Sequence, residues 1–88
     1  MVSIFTRDTI SMWIEHHKDG MHVVSEIDDD EKGFKSEIHY IISHDEVKKL
    51  YSIVSENEFI ELCRKGGTFG LANFLTAHNV LFLRVPVR

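Results

Sequence analysis

Five carboxylates fall within six positions of this chain: Glu26, Asp28, Asp29, Asp30 and Glu31. Three of them open the segment 28–33 (DDDEKG), which reads as a charged link closed by a glycine. A link cannot bury such groups, so they project into water. A spike of negative charge fits the cationic cleft of a basic protein, steers its encounter and raises the association rate. The plain alternative is a solvated turn. The run is not a calcium loop, because Asp28, Asp30 and Lys32 lack the later glutamate of the twelve-residue pattern.

Imidazoles are the second resource, six in all. With Asp19-Gly20 as a hairpin tip, Lys18 pairs with Met21 and His17 faces His22. With Ile27 paired to Phe34, His22 faces His39. The three rings then form one row, with Glu15 and Glu37 close by, on the side away from Met12, Ile14, Val23 and Ile38. Neighbouring strands lie about 4.8 Å apart, so His17, His22 and His39 could share a zinc ion. No tight ligand motif such as His-Glu-x-x-His accompanies them. Without a metal the row is a set of exposed polar-face histidines, pH-sensitive because an unperturbed imidazole titrates near 6.5.

Nucleophilic chemistry finds no support. Cys63 lies on a helical stripe with Phe59 and Leu62, where a thiol is buried and hard to ionise. No serine stands in Gly-x-Ser-x-Gly, and the paired carboxylates of the acidic run have no shelter that would raise a pKa for acid catalysis. Gly66-Gly67-Thr68-Phe69-Gly70 opens a helix but lacks the Lys-Ser/Thr of a phosphate loop, so it reads as a helix stop and restart. The expectation is a protein that is not an enzyme and needs no cofactor. Trp13 faces away from the apolar set on an otherwise polar row. An outward tryptophan anchors an interface or is covered by a neighbouring segment, and both readings stand.

The elements that position these groups follow from periodicity. Residues 10–17 (ISMWIEHH), 21–27 (MHVVSEI) and 34–42 (FKSEIHYII) alternate as strands, and a short strand at 2–5 precedes them. The period then becomes helical. Ser43-His44-Asp45-Glu46 and Ser55-Glu56-Asn57-Glu58 both have capping-box spacing. Val47, Leu50, Tyr51 and Val54 form the stripe of a first helix, and Phe59, Leu62 and Cys63 that of a second ending at Gly66-Gly67. A third helix over 68–78 turns Leu71, Phe74 and Leu75 inward, with Asn79 as a left-handed cap. Residues 80–85 (VLFLRV) form a last strand, which Pro86 places at a sheet edge. The fold class is α+β: an antiparallel meander, β-β-β-α-α-α-β, with short helices packed on one face of the sheet.

Composition narrows the partners. One domain spans 1–88; 43% of the residues are hydrophobic and 27% charged, too apolar a balance for disorder. The net charge of −4 argues against nucleic acid and for a basic protein partner. No apolar run is long enough to span a membrane. Met1–Arg7 lacks the basic-then-apolar pattern of a secretory signal, and the single cysteine sits in an apolar setting, so a reducing cytoplasm is expected.

Segment 55–80 (SENEFIELCRKGGTFGLANFLTAHNV) resembles small cytoplasmic immunity proteins of bacterial toxin–immunity systems of the contact-dependent growth-inhibition type. The shared features are an acidic-capped helix with Phe59-Ile60, a short helix with Leu71 and Phe74-Leu75, and Asn79-Val80. The resemblance implies an inhibitor that binds one cognate toxin domain, often a nuclease, and blocks its active site or substrate surface. It carries over no residue roles. Trp13 and the acidic run Glu26, Asp28, Asp29, Asp30 and Glu31 are therefore the expected contact set. Another protein-directed inhibitor or adaptor, such as a phage anti-defence protein, fits the same size and charge.

Overall fold

Alternating apolar and polar residues, rich in β-branched types, make the first half of the chain sheet. A computed structural model describes all residues from Met1 to Arg88. Its strands are β1 (Val2–Arg7), β2 (Ile10–His17), β3 (Gly20–Asp29), β4 (Phe34–Ile42) and β5 (Leu83–Pro86), with helices α1 (His44–Tyr51) and α2 (Glu56–Ala77) between β4 and β5. The sheet is a five-stranded antiparallel meander, ordered β1-β2-β3-β4-β5. The α+β architecture expected from the sequence is the architecture found.

Both hairpin registers are offset from expectation. Lys18 and Asp19 form the β2–β3 tip, so His17 pairs with Gly20 and Glu15 with His22. Gly20 belongs to the strand and not to the tip, and the reason is a close approach. A Cβ on Gly20 would stand 2.1 Å from the carbonyl oxygen of Ile42, and its φ of +140° is one that side-chain-bearing residues rarely adopt. In the next hairpin Asp29 pairs with Phe34, and Val24, not His22, pairs with His39. The β3–β4 turn is correspondingly short. Asp29 Oδ1 accepts from the Lys32 amide, and Gly33 takes a φ of +62°. Thus Asp28 and Asp29 belong to β3 and not to the link.

Even positions of β2 and β4 and odd positions of β3 share one face, and both helices pack there. Met12, Ile14, Met21, Val23, Tyr40 and Ile42 meet Leu50, Phe59, Cys63, Leu71 and Leu75 in a single apolar cluster. Burying each side chain of this size contributes about 1.5–3 kcal/mol. Burial alone pushes the Cys63 thiol up to about 12 and the half-buried Tyr51 hydroxyl, with Glu56 adding to it, to about 12. The Arg64 guanidinium straps α2 to β1 by donating to the Ile4 carbonyl at 3.2 Å.

The expected stop and restart at the glycine pair is found: Gly67 leaves the helical region, with a φ of +62° and a ψ of −152°, so α2 consists of two helical segments that meet there at a kink. Ser55 forms its capping box in full with Glu58. Ser43 caps α1 in position but makes no side-chain bond, and the Glu46 carboxylate accepts from the Leu81 amide at 2.7 Å where a capping box would turn it back to the Ser43 amide. Asn79 takes the left-handed cap, at a φ of +56°. The last strand starts later than expected, since Val80 is buried in the helical layer and pairing with β4 begins at Leu83. No helix is long and apolar enough to cross a membrane.

Candidate functional site

The other face of the sheet carries no helix. Alternation places Trp13, Glu15 and His17 of β2 there, with His22, Val24, Glu26 and Asp28 of β3, and Glu37, His39 and Ile41 of β4. Val24 is nevertheless fully buried, and it stands outside the helix-side cluster. Its cross-strand neighbours Trp13 and His39 flank it.

Those neighbours are fixed by hydrogen bonds. The Trp13 indole N–H donates to Glu15 Oε2 at 2.7 Å, and Glu15 Oε1 lies 2.7 Å from His17 Nε2. His22 Nε2 lies 2.7 Å from Asp19 Oδ1, and His39 Nε2 lies 2.7 Å from Glu37 Oε2. Between the last two rings, His22 Nδ1 and His39 Nδ1 stand 2.9 Å apart. The His17 ring leans over that of His22, with centroids separated by 4.0 Å. Beyond β5, Arg88 Nη2 donates to Glu37 Oε1 at 3.2 Å.

Three carboxyls are held below their ordinary range by these contacts. Glu15 is lowered first by the Trp13 bond and then by His17, Asp19 by its bond to His22, and Glu37 by His39 and then Arg88. All three therefore stay ionised at neutral pH and present negative charge on this face.

The expected histidine row thus exists, although its pairing differs. Each offset from the expected register moves a strand by a whole pleat repeat, which keeps every side chain on its face. His17, His22 and His39 are brought together, and Glu15 and Glu37 attend them. As a metal centre the row is less well made. The ring nitrogens face carboxylates or one another, and no three histidine, cysteine, aspartate or glutamate side chains converge as ligands.

The acidic run is divided. Glu26 and Asp28 point from the open face, Asp29 lies on the helix side of the alternation, and Asp30 and Glu31 project from the exposed turn. Lys35 Nζ stands 3.8 Å from Asp28 Oδ2. Asp28 Oδ1 is shielded from solvent and has no hydrogen-bond partner. Trp13 is half-buried and borders a shallow hollow of about 240 Å³ between β1 and β2, lined also by Ser3, Thr6 and Ser11. At the far end of the same face, Ile41, Leu81 and Leu83 line another, of about 250 Å³.

Asp19 and Arg88 escaped the sequence reading. Asp19 sits at the hairpin tip as expected but turns its carboxylate back to His22, and Arg88 reaches the site only because β5 pairs with β4. The spacing of Asp19 three residues before His22 was the one available signal. No protein-family model, curated protein or solved structure matches the chain.

Proposed function

We propose that this chain is a non-catalytic binding protein that neutralises a basic protein partner in the cytoplasm, and that it docks through the open face of its sheet. One observation carries the reading: a helix-free sheet face that gathers Glu15, Glu26, Asp28 and Glu37 around the half-buried Trp13. Most sheets of this size leave one face to water, and a solvated face serves with scattered charge. Here three carboxylates are locked in place by ring and indole N–H groups, so the charge is fixed in position before a partner arrives. Preorganised charge lowers the ordering cost of docking a cationic surface.

The proposed partner is a toxin domain of the toxin–immunity type, and occlusion of its active site or substrate surface is the proposed mode. The size of the chain, its net charge of −4 and the resemblance of segment 55–80 support this. Trp13 is the apolar anchor, and the carboxylates of the run from Glu26 to Glu31 supply steering.

The test is capture and kinetics together. A basic protein recovered on the immobilised chain at low salt is expected to be toxic when expressed alone and harmless when co-expressed with this chain. Reversing Asp28, Asp29 and Asp30 to Lys is expected to slow its association several-fold at low salt. A triple reversal that associates at the wild-type rate at low salt would overturn the assignment of the acidic run. A captured protein whose toxicity is unaffected by co-expression would overturn the inhibitor reading.

A further inference from the structure

The ring pair at the centre of the open face has a proton count that the geometry dictates. Asp19 Oδ1 and Glu37 Oε2 are acceptors, each 2.7 Å from an Nε2, so both Nε2 atoms carry hydrogen. That leaves two Nδ1 atoms 2.9 Å apart. With no proton between them two lone pairs face each other, and with two protons the N–H groups collide. With one proton they form a hydrogen bond of ordinary length. A metal ion in the same gap would need further donors, and no third one converges.

We infer that His22 and His39 share one proton, and that the open face binds its cationic partner in exchange for that proton. The second half of this inference rests on the docking reading above. The pair is well covered, with side chains 10% and 12% exposed, so water does little to dissipate its charge. The groups facing it come from every neighbouring element: Glu15 and His17 from β2, Asp19 from the hairpin tip, Glu37 from β4, and Arg88 beyond β5. The carboxylates that stabilise the shared positive charge are the ones an arriving arginine or lysine would pair with. A partner cation seated on Glu15, Asp19 and Glu37 is therefore a like charge next to the ring pair, and it favours release of the proton. When binding releases a proton, acid opposes binding. Affinity then rises with pH by up to about tenfold per unit, the limit set by one proton.

Two measurements test this. Nitrogen-15 NMR of the free protein at pH 7 is expected to show three ring protons on His22 and His39: both Nε2 atoms protonated and one proton averaged between the Nδ1 atoms. Two neutral rings protonated at Nε2 alone, or stoichiometric metal by elemental analysis, would overturn the shared proton. Calorimetric titration with deca-arginine, run at pH 7 in buffers of different ionisation enthalpy, is expected to report release of up to one proton per peptide bound. The release should vanish in His39→Gln, whose amide can donate to His22 Nδ1 without an added proton. Binding without proton release in the wild type overturns the exchange and leaves the docking reading intact. No binding of deca-arginine at low salt overturns the docking reading and the exchange with it, whichever state the NMR finds.

Discussion

The two faces of this sheet are built from alternate residues of the same strands, and they hold together by different physics. The helix side is a close-packed apolar layer in which shape and volume decide stability. The open side hides one valine under a lattice of indole, imidazole and carboxylate groups. Apolar packing is insensitive to pH and unforgiving of lost volume. A charged network is sensitive to pH and tolerates small changes of shape. The lesson is that one run of alternation can carry an apolar core and a hydrogen-bonded polar network at once, provided each keeps to its own parity.

Deleting volume on the helix side should have the largest effect. Phe59→Ala removes a fully buried ring and is expected to cost about 4 kcal/mol in denaturant unfolding. A cost below about 1 kcal/mol would mean that the helical layer is not the source of stability. Gly20→Ala comes next. Its added methyl runs into the Ile42 carbonyl from an unfavourable φ, and about 3 kcal/mol is expected by the same assay. The equivalent probe of the open side is smaller: Val24→Ala, with full burial but only side chains and no helix above it, is expected to cost about 2 kcal/mol.

The pH dependence separates the faces more sharply. Glu15, Asp19 and Glu37 have folded-state values below their ordinary 4.5, 3.8 and 4.5. A lowered carboxyl binds fewer protons folded than unfolded, so its stabilisation is present above the ordinary value and is lost as pH falls through the lowered one. The carboxyl contribution to stability is expected to fall away below about pH 4.5, and Glu37→Gln should make the decline in that range shallower. Phe59→Ala should lower the whole curve without changing its slope. Equal slopes in Glu37→Gln and wild type would remove the open face from the acid response.

The smallest stability effect is expected from charge reversal of Asp28, Asp29 and Asp30. The carboxylates no longer repel one another and the unpartnered Asp28 Oδ1 is removed, while a lysine at 28 meets Lys35 and the bond from the Lys32 amide to Asp29 is lost, so stability should stay within about 1 kcal/mol of wild type. A loss of several kcal/mol would show that the acidic run is structural.

Much of the fold was legible because parity survives a register error. Met12, Ile14, Val23 and Ile42 reached the core, and the histidines their common face, although neither hairpin pairs as the turn residues suggested. Gly20 misled because a glycine after aspartate signals a tip locally, whereas its actual constraint is the backbone of β4, far along the chain. The box at Ser43 is also absent, and there the Glu46 carboxylate is turned to a tertiary partner, the Leu81 amide. The site was half legible. Residue types and alternation showed the row, but the bond between His22 and His39 depends on ring placement that no spacing encodes.

Cys63 gives this molecule an internal clock. It is the only thiol of the chain, fully buried on the sheet-facing side of α2 and held in its unreactive protonated form by that burial. A soluble thiol reagent can meet it only when the helical layer lifts from the sheet. With the reagent in excess, modification is limited by how often that opening occurs, and with less reagent it follows the fraction of time the layer is open, so the two together give the duration. The native sequence therefore reports the frequency and duration of its own opening through one atom, without an attached label, and it does so from the face opposite the proposed docking surface.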